Sequence, residues 1–347
     1  MRGKLGHLTP LALLCMLSLL FALAACEGEQ GAQGVAGADG TDADVLCTEQ
    51  CHTDDASALQ DWILSFQQET EASGHAHAES FVRRDADCSG CHTTEGYQYR
   101  VANGTTIAIA NSSRISCFAC HAPHSNENFN MRKQGATDWI IGTGTYDKGN
   151  SNTCAMCHQG RDADPAIAAA DTIENKRWGP HHGPQSNMLA GHGAYDFGTP
   201  IDATHPHNGA GVPNGCVDCH MSAQPEDGMA GGHSFQMMFE YHGSFSVNDT
   251  GCGCHAGQNL DAKLTASQTA YDNAVRQLGG DLVTLGWIDT DTVYVAVPSD
   301  VIDADGRGAI WNYRMLLEES SEGVHNPTYI NGVITATQAY VTSQLPQ

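Results

Sequence analysis

Cys88-Ser-Gly-Cys91-His92, Cys117-Phe-Ala-Cys120-His121 and Cys154-Ala-Met-Cys157-His158 repeat one pentapeptide between residues 88 and 158, and Cys216-Val-Asp-Cys219-His220 is a further copy. C-x-x-C-H is the attachment signature of c-type haem. Two thiols one helical turn apart form thioethers with the haem vinyl groups, and the adjacent His takes the proximal position on the iron. Close Cys pairs also hold zinc, but zinc ligation gives no reason for a His after every second Cys. Four such copies in one chain are not coincidence.

Working outward, two variant copies flank the set. Cys47-Thr-Glu-Gln-Cys51-His52 has three residues between its thiols, a loop still able to reach both vinyls. Cys252-Gly-Cys254-His255 has one. There, either Gly253 permits a strained double attachment, or Cys254 alone is bonded and Gly251 stands at the usual first Cys position. Of the 14 Cys, Cys15 and Cys26 lie at the N-terminus, and the other twelve form six close pairs that each end in Cys-His. The expectation is six haem c groups, with no thiol left for the disulfide framework that an exported chain otherwise suggests.

Ligand supply follows. The proximal set is His52, His92, His121, His158, His220 and His255. With His7 in the leader, eleven of the 18 His remain for six distal positions. Bis-His ligation is therefore expected, with a lower potential than His/Met ligation gives. Met131, Met188 and Met229 are axial alternatives that read better as gap fillers. The adjacent His181-His182 is the most informative pair. In extended backbone its side chains point to opposite faces and can ligate two different irons, and the flanking Gly-Pro elements stiffen the chain for that task.

The N-terminus places the protein outside the cytoplasm. Arg2 and Lys4 precede the apolar run Leu11 to Ala25, too short for a membrane span, and Leu23-Ala-Ala-Cys26 resembles a bacterial lipobox. Residues 1–25 are expected to be a signal peptide, with Cys26 acylated as a membrane anchor; an ordinary secretory cleavage near Ala25 is the alternative. Residues 26–46, with Gly at every third position from Gly28 to Gly40, read as a flexible acidic tether. The formal net charge is −24; without Arg2 and Lys4, 14 basic face 40 acidic residues, a net of −26. This argues against nucleic acid and anionic lipid surfaces as partners. It favours basic redox proteins or cationic metal species. Aromatic residues make up only 7% of a chain with 38 Gly, so the macrocycles themselves are expected to serve as the core of residues 47–255.

The expected fold is a mostly irregular, haem-cored chain with short α-helices and minimal β structure. An amphipathic helix is predicted over 55–71, a short strand pair near Thr105 to Ala110, a helix over 166–176 behind Asp164-Pro165, and irregular chain over 183–215. Residues 256–347 contain no Cys and read as a small helical cap. Its elements are a helix through Leu264 to Leu278, a strand at 292–297, and helices over Ala309 to Glu319 and Pro327 to Ser343, with His325 at the joint.

Five elements carry a family resemblance. They are Ser73-Gly-His75-Ala before Cys88-Ser-Gly-Cys91-His92-Thr, Cys120-His121-Ala-Pro-His124-Ser, and Cys157-His158-Gln-Gly-Arg161. The others are Trp178-Gly-Pro-His181-His182-Gly-Pro-Gln and Cys219-His220-Met followed by Gly231-Gly-His233. As a set they resemble the exported multihaem c-type cytochromes of metal-respiring bacteria. The leader resembles cell-surface decahaem lipoprotein cytochromes, and the core resembles tetrahaem cytochromes that polymerise into nanowires. The resemblance implies stacked bis-His haems, long-range electron transfer, and distal roles for His75, His124, His181, His182 and His233, with a further ligand from His205-Pro-His207. Gly323-Val-His325-Asn-Pro327 looks like the C-terminal distal element of other multihaem enzymes. The end motifs depart from the tetrahaem pattern. Three functions compete: an electron conduit without catalysis, a homopolymeric filament subunit, and a multihaem reductase. No C-x-x-C-K occurs, and the surplus His argues that every iron can be capped.

Overall fold

The computed structural model describes residues 69, 73–77, 82–122, 130–161, 173, 178–223, 230–241, 243–289 and 302–346. The chain divides between Asp54 and Asp55, and every described residue belongs to Asp55–Gln347. The leader with Cys26, the tether, Cys47, Cys51, His52 and His124 lie outside the described residues. So do Met229, the strand expected at 292–297, and all but one residue each of the helices expected over 55–71 and 166–176.

Each described C-x-x-C-H motif has its first Cys on a short helix of its own. α1 is Ala86–His92, α3 Cys117–Cys120, α4 Asn152–Ala155 and α6 Cys216–His220. One turn brings side chains three apart to a common side, which is what two thioethers to one macrocycle require. Between the first two lies α2, Thr94–Asn103. Thr93 Oγ1 caps it by accepting the Gly96 N–H at 2.9 Å, and it ends on Gly104 at φ 69°. α5, Gln185–Ala190, follows the His181-His182 loop and likewise ends on a left-handed glycine, Gly191.

β structure is minimal. β1 (Thr137–Asp138) pairs antiparallel with β2 (Thr145–Tyr146), and β3 (Met238–Tyr241) with β4 (Ser244–Val247), in the register Met238↔Val247 to Tyr241↔Ser244. The strand pair expected near Thr105 to Ala110 is absent. That segment satisfies its backbone elsewhere: the Ile109 N–H donates to Arg84 O at 2.8 Å, and Ser89 Oγ donates to Ile107 O at 2.6 Å. Its β-branched residues line a single extended run pinned to α1, so no partner strand forms.

Three longer helices build the C-terminal part: α7 (Leu260–Thr284), α8 (Ala304–Glu318) and α9 (Pro327–Gln344). Asn259, Asp303 and Asn326 cap their N-termini, accepting from Ala262, Gly306 and Tyr329 N–H groups, and Pro327 opens α9. α8 begins five residues before the expected Ala309 because Asp303 is the cap. Leu278, Leu282, Ile310, Trp311, Ile330 and Val333 are fully buried between the three helices. Each such side chain contributes roughly 1.5–3 kcal/mol of transfer free energy.

This cap is not closed on itself. Ile141 and Met188 belong to the same core. Trp311 Nε1 donates to Gly193 O at 2.9 Å, and the Asn312 amide both accepts from Tyr195 N–H (2.7 Å) and donates to Tyr195 O (2.8 Å). Segment 188–203 thereby ties the region carrying His181 and His182 to α8 and α9. No helix among the described residues is long and apolar enough to cross a membrane.

Candidate haem-binding site

Rings of sequence-distant histidines face one another at a nearly constant separation. His158 and His75 have ring centroids 6.0 Å apart, His121 and His233 6.2 Å, His255 and His207 6.3 Å, and His220 and His325 6.4 Å. An iron held between two imidazoles needs about 2 Å per metal–nitrogen bond and about 1 Å from each nitrogen to its ring centre, hence a centroid separation of about 6 Å. In each pair one member directly follows an attachment Cys and the other does not. These four sites fit a haem iron with two axial imidazoles, and the residues to hold it are the eight just named with their adjacent thiols.

The remaining ring nitrogens are anchored. His207 Nδ1 lies 2.8 Å from Val324 O, His220 Nδ1 2.8 Å from Phe235 O, and His158 Nδ1 3.2 Å from Gln185 Oε1. Engaging Nδ1 in this way leaves Nε2 as the ligand and fixes the ring plane. His325 Nδ1 lies 3.0 Å from Glu319 Oε2. His205 also lies near His255, but its ring is engaged with its neighbour. Its Nδ1 accepts the His207 N–H at 3.2 Å, so it orders the turn that presents His207.

Burial keeps several of these rings neutral, the form that binds metal. Burial first, then the neighbouring His158, pulls His75 down to about 4. Burial likewise lowers His158, His220 and His233, the last against the opposing pull of Glu69. Glu319 is also lowered, which for a carboxyl favours the charged form. Burial pushes its carboxyl up, but donors from His325, Ser321 and Gly323 outweigh that and hold it below its usual range.

Among the described residues, His92 has no single facing ring. Burial, Arg161, Arg83 and His182 lower it, and His181 is lowered to about 4 by burial, Arg161, His182, His92 and Arg83. The structure thus gathers His92, His181 and His182 in one neighbourhood without selecting the partner. The extended backbone expected at the His pair is not found. His181 adopts φ 65°, and the two rings lie side by side with centroids 4.7 Å apart and tilted by 49°. Pro180 fixes φ only at its own position, and the chain turns at the next residue into the left-handed region. His182 Nδ1 contacts Glu318 Oε2 at 2.7 Å, and Arg314 holds the other oxygen of that carboxylate at 3.1 Å.

The sites form a connected series. The Cys91 and Cys157 side chains lie beside each other, as do those of Cys154 and Cys216. Cys219 lies near Cys252, and Cys120 near both Cys154 and Cys157. Each described motif therefore lies beside at least one other. The variant end motif forms a 3₁₀ turn, Gly253–His255, closed by His255 N–H to Cys252 O at 2.7 Å. In the regular motifs the same N–H reaches one residue further back, His158 to Cys154 and His121 to Cys117, each at 2.8 Å. A Cβ at Gly251 would stand 2.4 Å from Asp218 O. Close approach to α6 therefore excludes a Cys where the regular spacing would put one.

The carboxylates behind the distal rings, Glu318, Glu319 and Glu69, were not apparent in the sequence, since no periodicity or motif marks them. His192, unassigned in the sequence, stacks on Trp139 at 4.9 Å and binds Ile141 O at 2.7 Å, a structural role.

No protein-family model matches the chain. It is 22% identical to the C-type polyheme cytochrome OmcB of Geobacter sulfurreducens in each of two strains, an alignment covering 80% of this chain and 47% of OmcB. The chain spans about half the length of the curated relatives it matches. Among solved structures, the outer cell wall cytochrome OcwA superposes with a TM-score of 0.55 at 21% identity, over 80% of this chain and 50% of OcwA. An undecahaem cytochrome from the S-layer of Carboxydothermus ferrireducens gives a TM-score of 0.47 at 17% identity, over 82% and 40%. The irregular, helix-rich fold is shared with OcwA. The chain is thus similar in sequence to a polyhaem c-type cytochrome and in fold to a multihaem one.

Proposed function

We propose that this protein is an exported electron carrier that moves electrons along a series of six closely spaced haem c groups, each with two axial His ligands, without catalysing a reaction of its own. Haem c supplies a one-electron iron couple at each site. The protein supplies covalent attachment, a second imidazole at each iron, and the spacing between sites. The observation that carries the reading is the set of four proximal–distal His pairs, all with centroids between 6.0 and 6.4 Å. A second imidazole at each iron leaves no position for a substrate, as a carrier requires and a reductase does not allow.

The remaining assignments complete the reading. The haem at His92 takes its second imidazole from His181 or His182. Cys26 carries a lipid that holds the protein at the outer surface, and the acidic surface meets basic redox proteins or extracellular metal acceptors.

Reversible redox titration of the purified protein, followed in the haem bands, tests the function. Every haem should titrate, the midpoints should overlap into a continuous span, and nitrite should not reoxidise the reduced protein catalytically. Sustained nitrite turnover would place it among the reductases. Cys26→Ala should release it from the membrane fraction with its haem content unchanged.

A further inference from the structure

The C-terminal end of α8 carries two consecutive carboxylates that each take a different histidine: Glu318 takes His182 and Glu319 takes His325. His182 is 72% exposed, so water shares its contact. Glu319 is fully buried. Its Oε2 accepts from His325 Nδ1 at 3.0 Å and from Ser321 Oγ at 2.6 Å, and its Oε1 accepts the Gly323 N–H at 2.9 Å. Ser321 Oγ in turn accepts the N–H groups of Val324 and His325, both at 3.0 Å. The 319–325 loop is thus folded around one carboxylate, and that carboxylate faces the ring paired with His220.

A buried carboxylate is costly unless its oxygens are fully bonded. Here three donors satisfy it, and one of them is the distal ring. The anchored Nδ1 atoms of His207, His220 and His158 rest on neutral oxygens, from Val324, Phe235 and Gln185. Glu69 Oε2 accepts the His233 backbone N–H at 2.9 Å and stands 3.7 Å from His233 Nδ1. At the His220/His325 pair a fully buried carboxylate is in direct hydrogen-bond contact with a ligand ring, at 3.0 Å.

We infer that Glu319 is a positioning residue that sets the potential of the haem held between His220 and His325. Its carboxylate fixes the His325 ring by the Nδ1–H and lowers the reduction potential of that iron relative to its neighbours. A carboxylate acceptor makes an imidazole a stronger donor to its metal, and a stronger donor favours the oxidised iron. Low local dielectric preserves the effect of the charge. This rests on the bis-His reading above.

The experiment is a potentiometric titration of the intact holoprotein with Glu319→Gln and Glu319→Asp, alongside His325→Gly. Glutamine keeps the size and can still accept the Nδ1–H, but it removes the charge. In Glu319→Gln all haems should remain low spin with unchanged mass. One component should shift positive, its reduced-to-oxidised ratio at fixed potential rising about tenfold, or about 59 mV for a one-electron couple. Glu319→Asp should move back toward the parent value. Potentials unchanged within threefold in Glu319→Gln, or one haem turned high spin, would overturn the inference, since Glu319 would then serve only to shape the loop.

His325→Gly gives a check independent of how Glu319 variants fold. It should create one high-spin haem that binds imidazole at least tenfold more tightly than 1-methylimidazole, which has no N–H for Glu319. His75→Gly, whose ring contacts are His158 and Phe235, should show no such preference. Equal affinities at the His325→Gly site overturn the Glu319 inference alone. A His325→Gly protein that stays fully low spin rejects His325 as a ligand, and with it the underlying reading at that iron.

Discussion

The imidazoles of His220 and His325 face each other with centroids 6.4 Å apart, although one belongs to an attachment motif and the other to a loop beyond the last cysteine. The C-terminal helices thereby acquire a purpose. α8 and α9 bury an apolar core against segment 188–203, and the loop between them presents His325 from a rigid base. A cap that packs on irregular chain in this way is a support for ligands as much as a lid.

That support should be measurable. Leu278, fully buried in α7, truncated to Ala should cost about 2–5 kcal/mol. Chemical denaturation of the holoprotein reads the loss, with haem mass unchanged. A change below about 1 kcal/mol would mean that the helices do not hold the fold together.

Intact mass of the purified protein should correspond to six haems, and the double change Cys252→Ala and Cys254→Ala should remove one. A parent mass with four haems would show that the variant motifs at Cys47 and Cys252 do not carry haem.

His205 and His207 should behave differently. His207→Ala should convert one haem to high spin, because the His207 ring faces His255 at 6.3 Å. His205→Ala should leave every haem low spin, because that ring braces the His207 backbone. Visible and near-infrared spectra of the oxidised proteins distinguish the two, and the reverse pattern would reassign the ligand.

At His181 and His182, each single Ala substitution should convert one haem to high spin, and the double substitution two, all with constant mass. If either single variant stays fully low spin, that residue shapes the turn and the other is the ligand.

Much of this site was legible in the sequence. C-x-x-C-H binds its cofactor through local geometry, so spacing alone singled out the four regular motifs from Cys88 to His220 as candidate attachment sites. The periodic Leu264, Tyr271, Val275 and Leu278 that marked α7 likewise act within a few turns. What the sequence left open acts across it. His205 and His207 differ only in which ring faces His255, a contact 48 positions away. Glu319 is one acid among 40 acidic residues, and only the folded loop brings it to His325. The turn at His181 escaped because Pro180 restrains its own φ and leaves the next residue free. The residues 105–110 have strand-like composition, but α1 already satisfies their backbone.

The most direct test of the central claim, that every iron has two protein imidazoles, is the spin state of the whole protein with its response to carbon monoxide. Electron paramagnetic resonance of the oxidised form should show only low-spin haem, and the fully reduced form should bind no carbon monoxide. A high-spin signal from even one haem, accompanied by carbon monoxide binding on reduction, would contradict the account.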